Sequence, residues 1–292
     1  MSKLASKILV PIGFSKQSII ALEQAFNIAK IKKSAVFLLT VVEEQSILNS
    51  LFLDDKTPEL QKSVKTKLSS LASDYSKKYN VVTDVIVAKG KVYKKINEVA
   101  EMISADLIVM GTHGSETSNK IIGSNAERVV RLASCPVITI KGQTHRHGCK
   151  NIILPLDLEK ETKEKVTHAI EYARYWNSVV RIVSVVIRDT KEVRDKLTKN
   201  INQVKKFIEE AGIECTSELL EGDKKGNLGD YIFDYEKKFE SDMIMIMTKK
   251  EELSFSNNIS VTARYIINNS QIPVMSIKPR DRKIITKPTT AF

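Results

Sequence analysis

The stretch DLIVMGTHGSETSNKIIGSN, residues 106–125, joins a short apolar run to a loop with three glycines. Residues 106–110 have the length and composition of a buried strand. A helix is predicted over 123–133, where small and apolar residues recur at helical spacing: Ala126, Val129, Val130 and Ala133. The stretch therefore predicts a strand, a loop and a helix in succession, the unit from which parallel α/β sheets are built.

The rest of the first half alternates strands and helices in the same way. Apolar runs rich in Val and Ile are separated by longer stretches at helical spacing. We predict strands at 7–12, 35–42, 81–88, 106–110 and 136–140, and helices at 16–31, 57–79, 91–103 and 123–133. Runs that are apolar almost throughout, such as VFLLTVV (36–42), fit strands covered by helices on both faces. The first half is thus predicted to be a doubly wound α/β unit with a five-stranded parallel sheet.

The second half of the chain repeats the first. Residues 7–42 align without a gap over residues 151–186, so that KILVPIGF faces NIILPLDL. Further along, DLIVMGTH faces DMIMIMTK, and CPVITIKG faces IPVMSIKP. The sequence is therefore a tandem of two homologous units.

The repeat sets the expected domain organisation. The 292 residues exceed the roughly 100–200 of a single domain. We predict an N-terminal unit at 1–144, a C-terminal unit at 149–280 and a flexible tail at 281–292. Strands of the C-terminal unit are predicted at 151–156, 179–187, 213–220, 242–248 and 273–277.

Composition favours a soluble globular protein. Hydrophobic residues make up 42% and charged residues 28% of the chain, close to ordinary globular usage. The net charge of +11 is spread over lysine-rich helices without interleaved aromatic residues, so no nucleic-acid partner is expected. No run reaches the roughly 18 apolar residues of a membrane span, and the N-terminus lacks the pattern of a secretory signal. We expect a cytoplasmic protein that does not associate with membranes.

Cysteine and histidine residues raise one metal-site hypothesis. The three cysteines are widely spaced and odd in number, which argues against a disulfide framework. His145, His147 and Cys149 alternate in the segment between the units, but a metal site also needs a fourth ligand and a rigid frame. The pattern favours a polar linker, and no metal is expected.

Residues alone leave the role of the glycine loop open. Glycines let a backbone approach phosphate, and the free N–H groups at a helix start attract anions. Ser124 and Asn125 can add hydrogen bonds to such a ligand or simply cap the helix. Neither GxxxxGK[ST] nor GxGxxG is present, so a phosphate cradle and a plain turn are equally supported.

The order KILVPIGFS, then GTHG, then GSNAERVVRLASCPVITIKG resembles the universal stress protein family in its tandem, two-domain form, over residues 5–279. The resemblance implies a Rossmann-like fold, similar to adenine nucleotide alpha hydrolases. One branch of that family binds ATP through a G-x2-G-x9-G-[S/T] loop, and an aspartate at the end of the first strand helps to hold the adenine. Carried over to this sequence, it implies an ATP site, with magnesium, in the N-terminal unit formed by Pro11, Ile12, Gly13, Val41, Val42, Gly111, His113, Gly114, Gly123, Ser124 and Asn125.

This unit departs from the family pattern at two places. Eight residues rather than nine separate Gly114 from Gly123, and Gly13 stands at the position of the aspartate. The lost carboxylate removes a contact of about 1–3 kcal/mol.

The C-terminal unit departs in the opposite way. Asp157 stands where the aspartate belongs, as a nucleotide contact or as a cap for a helix starting at Glu159. The loop has lost its glycines, since the matching positions hold Met247, Lys250, Ser260 and Val261. We expect that this unit does not bind ATP in the family mode.

The expected function is a nucleotide-linked regulatory module of the stress response, and not an enzyme. Neither an orienting partner nor a nucleophile is evident for His113, so no catalytic role is assigned to it. The alternatives are a scaffold that does not bind ATP, a binder of another small molecule or lipid, or an enzyme whose pocket hydrolyses ATP or transfers an adenylyl group. As in the resembled family, the last strands PVITI and PVMSI are expected to pair across a pseudo-twofold axis. A homodimer and an unidentified regulatory protein are further expected partners.

Overall fold

A computed structural model describes residues 6–43, 57–112, 124–142, 147–157, 163–187, 189–223, 226–248 and 259–278. Side chains of 57–60, 124 and 163 lie outside this description. None of the helices within these ranges is both long enough and apolar enough to span a bilayer.

The first half contains the predicted strands and helices in the predicted order. They are β1 (Lys7–Pro11), α1 (Lys16–Lys32), β2 (Ala35–Val42), α2 (Thr57–Tyr79), β3 (Thr83–Lys89), α3 (Val92–Met102), β4 (Leu107–Gly111), α4 (Ser124–Leu132) and β5 (Val137–Ile140). Helix α1 begins after Ser15, whose hydroxyl accepts a hydrogen bond from the Ser18 N–H (3.3 Å). Such a cap satisfies one of the free N–H groups of the first turn.

The second half repeats this order. Its elements are β6 (Asn151–Pro155), α5 (Lys163–Trp176), β7 (Val179–Val186), α6 (Lys191–Glu210), β8 (Cys215–Glu221), α7 (Leu228–Lys238), β9 (Met243–Met247), α8 (Val261–Asn269) and β10 (Val274–Ile277). The ends of its strands lie within two residues of the predicted strand ends.

Within the described ranges, the ten strands belong to one sheet with the order β3-β2-β1-β4-β5-β10-β9-β6-β7-β8. Strands within each half are parallel, whereas β5 and β10 pair antiparallel through Ile138 and Met275. The predicted α/β fold and the predicted pairing of the last strands are thus confirmed. The unit boundaries stay a prediction, and the tail at 281–292 lies outside the described residues.

Both faces of the sheet carry a buried apolar layer. Helices α1, α2, α5 and α6 cover one layer, and helices α3, α4, α7 and α8 cover the other. Neighbouring residues of one strand enter different layers, as Ile8 and Leu9 do. Each layer contains residues of both halves. Because helices cover both faces of the sheet, the strands are apolar almost throughout.

Polar contacts also join the halves across the β5–β10 boundary. On one face, the Lys32 ammonium of α1 lies 2.9 Å from the Glu171 carboxylate of α5. On the other face, the Arg264 guanidinium of α8 lies 2.7 Å from the Glu127 carboxylate of α4. Lys141 also donates to the Asn268 carbonyl (2.7 Å).

Candidate functional site

The carboxyl end of β1 is the switch point of the first half. The chain passes from β1 to β2 and β3 on one side, then returns to β4 and β5 on the other. In open α/β sheets, ligands bind outside the carboxyl ends of the strands at such a point. The predicted residues Pro11 to Gly13 and Gly111 therefore flank the expected binding crevice.

Hydrogen bonds hold the backbone at the end of β1 in place. The Ile12 N–H donates to the Leu39 carbonyl (2.7 Å). The Thr40 hydroxyl donates to the Ile12 carbonyl (3.0 Å). Ile12 is buried and Pro11 is half-buried, so this segment forms a fixed apolar wall beneath the edge.

Gly13 leaves open space at the edge. It is exposed, and a Cβ atom built on it would meet no heavy atom of a neighbour within 4 Å. Its φ lies outside the left-handed region that favours glycine. Neither packing nor backbone conformation therefore requires a glycine here.

The end of β2 supplies a second part of the wall. Val41 and Val42 are half-buried, and the Val42 carbonyl accepts from the Gly90 N–H (3.0 Å). Because β2 lies beside β1, both valines lie at the same edge of the sheet as Pro11.

Packing explains why residue 111 is a glycine, which the sequence alone did not reveal. A Cβ atom built on Gly111 would lie 2.9 Å from the Gln17 carbonyl carbon and 2.9 Å from the Gln17 Cβ atom. The start of α1 thus lies too close to the end of β4 for any side chain. A larger residue here would force β4 or α1 to shift, whether or not phosphate approaches this position.

The glycine loop itself is only partly described. His113, Gly114 and Gly123 lie outside the described residues, whereas α4 begins at Ser124 and Asn125 is half-buried. The first turn of α4 follows β4 at the carboxyl edge, where its N–H groups can attract an anion. The structure thus brings together Pro11 to Gly13, Val41, Val42, Gly111 and the start of α4 at one edge.

A lysine near this edge was not predicted. Phe14 has φ 57°, and the Lys67 ammonium of α2 lies 4.4 Å from the centre of its ring. A cation over an aromatic face is attracted by the ring. The lysine-rich run around Lys67 suggests a solvated helix face, so only the fold shows which lysine meets Phe14.

The second half reproduces the same backbone frame. The Leu156 N–H donates to the Val183 carbonyl (2.8 Å), and the Ser184 hydroxyl donates to the Leu156 carbonyl (2.9 Å). These bonds match those of Ile12 and Thr40. Differences between the two edges therefore arise from side chains on a common frame.

Side chains at the second edge differ from those at the first. Met247 replaces Gly111 and packs, half-buried, against the apolar layer under α5. Ser260 caps α8 by accepting from the Ala263 N–H (3.2 Å), and Val261 is 83% exposed. Asp157 is exposed. Lys250 and the predicted helix start at Glu159 lie outside the described residues.

Charge also distinguishes the two edges. In the second half, Arg194 bonds to Asp189 and lies 2.7 Å from the Glu221 carboxylate. The hydrogen bond from Arg194 lowers the pKa of Asp189. Glu221 of β8 pairs with Val186 of β7, and Lys89 of β3 pairs with Val42 of β2. Since Val186 and Val42 match in the repeat, Glu221 and Lys89 occupy equivalent positions. A carboxylate thus stands in the second half where the first half has an ammonium.

The alternating His and Cys residues form no recognisable metal site in the structure as described. Cys149 is buried, and this burial raises the pKa of its thiol. His147 is exposed, and His145 lies outside the described residues. In the described ranges, no three His, Cys, Asp or Glu side chains are grouped so as to hold a metal ion.

Comparison with known proteins adds independent findings. The sequence model of the Universal stress protein family matches residues 5–141. Universal stress protein MJ0577 of Methanocaldococcus jannaschii is 30% identical over an alignment of 161 residues, and the match covers 48% of this chain and 98% of that protein. Universal stress protein MJ0531 of the same organism is 34% identical over 146 residues, covering 47% of this chain and 83% of that protein.

Among solved structures, a universal stress protein from Archaeoglobus fulgidus shares the fold over nearly the whole chain. The TM-score is 0.76, the identity is 18%, and the match covers 94% of this chain and 99% of that one. The fold, the nearly complete coverage of MJ0577 and the family match over the first half agree. The chain belongs to the universal stress protein family.

Proposed function

We propose that the N-terminal unit binds ATP with magnesium, that the C-terminal unit does not, and that the chain acts as a regulatory module of the stress response in the cytoplasm. The observation that carries this proposal is the contrast between the two switch points. At the first, Gly111 ends β4 without a side chain, whereas at the second the matching residue, Met247, packs its side chain at the strand end. The resemblance to the ATP-binding branch of the family supports the same assignment.

The described residues fit a bound nucleotide. The apolar wall of Pro11, Ile12, Val41 and Val42 suits the face of an adenine ring. The open space at Gly13 leaves room beside it. Phosphates would lie at the start of α4, with Gly114, Gly123, Ser124 and Asn125 as their partners. Magnesium would offset phosphate charge.

The proposed role is binding and not catalysis. Efficient phosphoryl transfer needs a positioned nucleophile together with groups that stabilise the developing charge. Around the first switch point, the described residues supply a backbone frame and apolar walls. We therefore assign no catalytic residue and propose that nucleotide occupancy is read by a partner protein, with a homodimer as a further level of assembly.

Calorimetry on a matched pair of variants tests this proposal. Gly114→Lys copies Lys250 of the second half into the first, and Lys250→Gly makes the reverse change. Wild type should bind one ATP per chain, Gly114→Lys none, and Lys250→Gly one. Binding retained in Gly114→Lys would contradict the assignment of the site.

A second candidate function is a scaffold, or a binder of another small molecule or lipid. Two observations favour it: Gly13 supplies no carboxylate, and packing against Gln17 already explains Gly111. Protein purified without added ligand should then contain no nucleotide, and ATP with magnesium should leave its melting temperature unchanged. A nucleotide found in the purified protein would exclude this candidate.

A further inference from the structure

A lysine stands inside the C-terminal unit where the N-terminal unit has an alanine. The gapless repeat places Lys165 over Ala21, both near the start of the first helix of their unit. Ala21 is fully buried, and Lys165 is only 3% exposed. Lysine is almost never buried to this degree unless its charge has partners.

The Lys165 side chain reaches the switch point of its unit. Its ammonium donates to the Pro155 carbonyl (2.7 Å) at the carboxyl end of β6. Strand β6 lies between β9 and β7, as β1 lies between β4 and β2. Pro155 is the counterpart of Pro11, one of the wall residues of the proposed ATP site. The ammonium thus lies at the strand end where the first unit presents that wall.

A change on the neighbouring strand accompanies this lysine. In the first unit, α1 approaches β4 so closely that only glycine fits at 111. In the second unit, Met247 carries a full side chain at that position and packs against the layer that α5 covers. The segment of the second unit that matches Gln17, around Glu161, lies outside the described residues. At 165 and 247, the second unit thus has two long side chains where the first has Ala21 and Gly111.

We propose that Lys165 closes the C-terminal switch point. Its methylene chain, together with Met247, fills the space beneath the edge, and its ammonium engages the strand end that a nucleotide would contact. The exclusion of ATP from this unit therefore arises in the core as well as in the loop. This inference deepens the proposed function and rests on it, because it explains why one unit of two binds.

A graft experiment separates the loop from the lysine. The background is Gly114→Lys, which removes the N-terminal site, so that any ATP bound reports the C-terminal unit. The graft gives the second unit the three glycines and the serine of the first-unit loop through Met247→Gly, Lys250→Gly, Ser260→Gly and Val261→Ser. ATP binding is measured by calorimetry for the graft alone, with Lys165→Ala, and with Lys165→Met, which keeps the volume of the side chain.

The graft alone and the graft with Lys165→Met should bind no ATP, and the graft with Lys165→Ala should gain one site per chain. A site in the graft alone would overturn the proposal, as would one in the Met variant. No site in the folded Ala variant would overturn it equally. If the proposed function itself is wrong, the unmodified protein binds no ATP, and this result is distinct from the outcomes of the graft.

A single substitution tests the packing of Lys165 without nucleotide. Lys165→Ala in the otherwise unmodified chain should lower the unfolding midpoint by several degrees, because it leaves a cavity at the end of β6. Lys165→Met should lower it less. An unchanged midpoint for Lys165→Ala would show that the side chain fills no space and would overturn the proposal even if the graft does not fold.

Discussion

Lys32 and Glu171 form an ion pair between the two halves of the chain, with 2.9 Å between the ammonium and the carboxylate. The Lys32 ammonium also lies 5.0 Å from the centre of the Tyr172 ring and 5.4 Å from that of Tyr175. The side chain of Lys32 is 10% exposed and that of Glu171 is 39% exposed. One lysine of α1 thus contacts three side chains of α5.

Lys32→Met should lower the free energy of unfolding by about 1–2 kcal/mol, because a partly exposed ion pair and two cation–π contacts are lost. Urea unfolding measures this change. Lys30→Met, an exposed position on the same helix, is the control and should have little effect. Equal losses in both variants would show that the contacts of Lys32 with α5 contribute nothing.

The contribution of Glu171 should depend on pH. The neighbouring imidazole of His168, 3.6 Å from the carboxylate, and the pairing with Lys32 lower the pKa of Glu171 from 4.5 to about 2, although burial opposes this shift. A carboxyl with a lowered folded-state pKa stabilises the fold above its unfolded pKa, and this stabilisation is lost as pH falls toward the folded pKa. The stability difference between wild type and Glu171→Gln should therefore shrink as the pH falls from about 5 toward 2. Urea unfolding at a series of pH values in this range tests the prediction, and a difference that grows between pH 5 and pH 2 would be the opposite result.

Gly111→Ala should destabilise the protein without any nucleotide present. The added methyl group would lie 2.9 Å from the backbone of Gln17, and such overpacking costs about 1–3 kcal/mol. Gly13→Ala is the matched control, since its methyl group meets open space. Thermal unfolding should show a lower midpoint for Gly111→Ala and an unchanged or slightly higher one for Gly13→Ala. The reverse order would contradict the packing described for α1 and β4.

Gly13→Asp should strengthen ATP binding. The structure has room for the side chain, and a hydrogen bond to a charged group contributes about 1.5–3 kcal/mol, or about tenfold or more in affinity. Gly13→Asn, with a neutral side chain of the same shape, should give a smaller gain. Calorimetry compares the dissociation constants, and weaker binding by Gly13→Asp would place the nucleotide elsewhere.

The fold could be predicted because the sequence patterns that determine it are local, and because they occur twice in the chain. Runs such as VFLLTVV indicate buried strands by themselves. Because 7–42 aligns with 151–186, each strand or helix assigned in the first segment also predicts its counterpart in the second. The pairing of β5 with β10 came from the family resemblance. Element ends moved by only one or two residues.

The site was less predictable because it depends on contacts between residues that are far apart in the sequence. The need for glycine at 111 depends on how closely Gln17 approaches, which no local pattern reveals. The left-handed Phe14 under Lys67 depends on the placement of α2. Lys165 was visible in the repeat as a lysine facing an alanine, but its burial shows only in the structure.

Hydrogen–deuterium exchange with and without ATP and magnesium tests the central claim most directly, because it reports both edges of one chain in one experiment. The account predicts slower exchange at residues 9–13, 40–43 and 111–126, and no change at 153–157, 184–187 and 247–263. Protection at the second set of segments, or none at the first, would contradict an ATP site confined to the N-terminal unit.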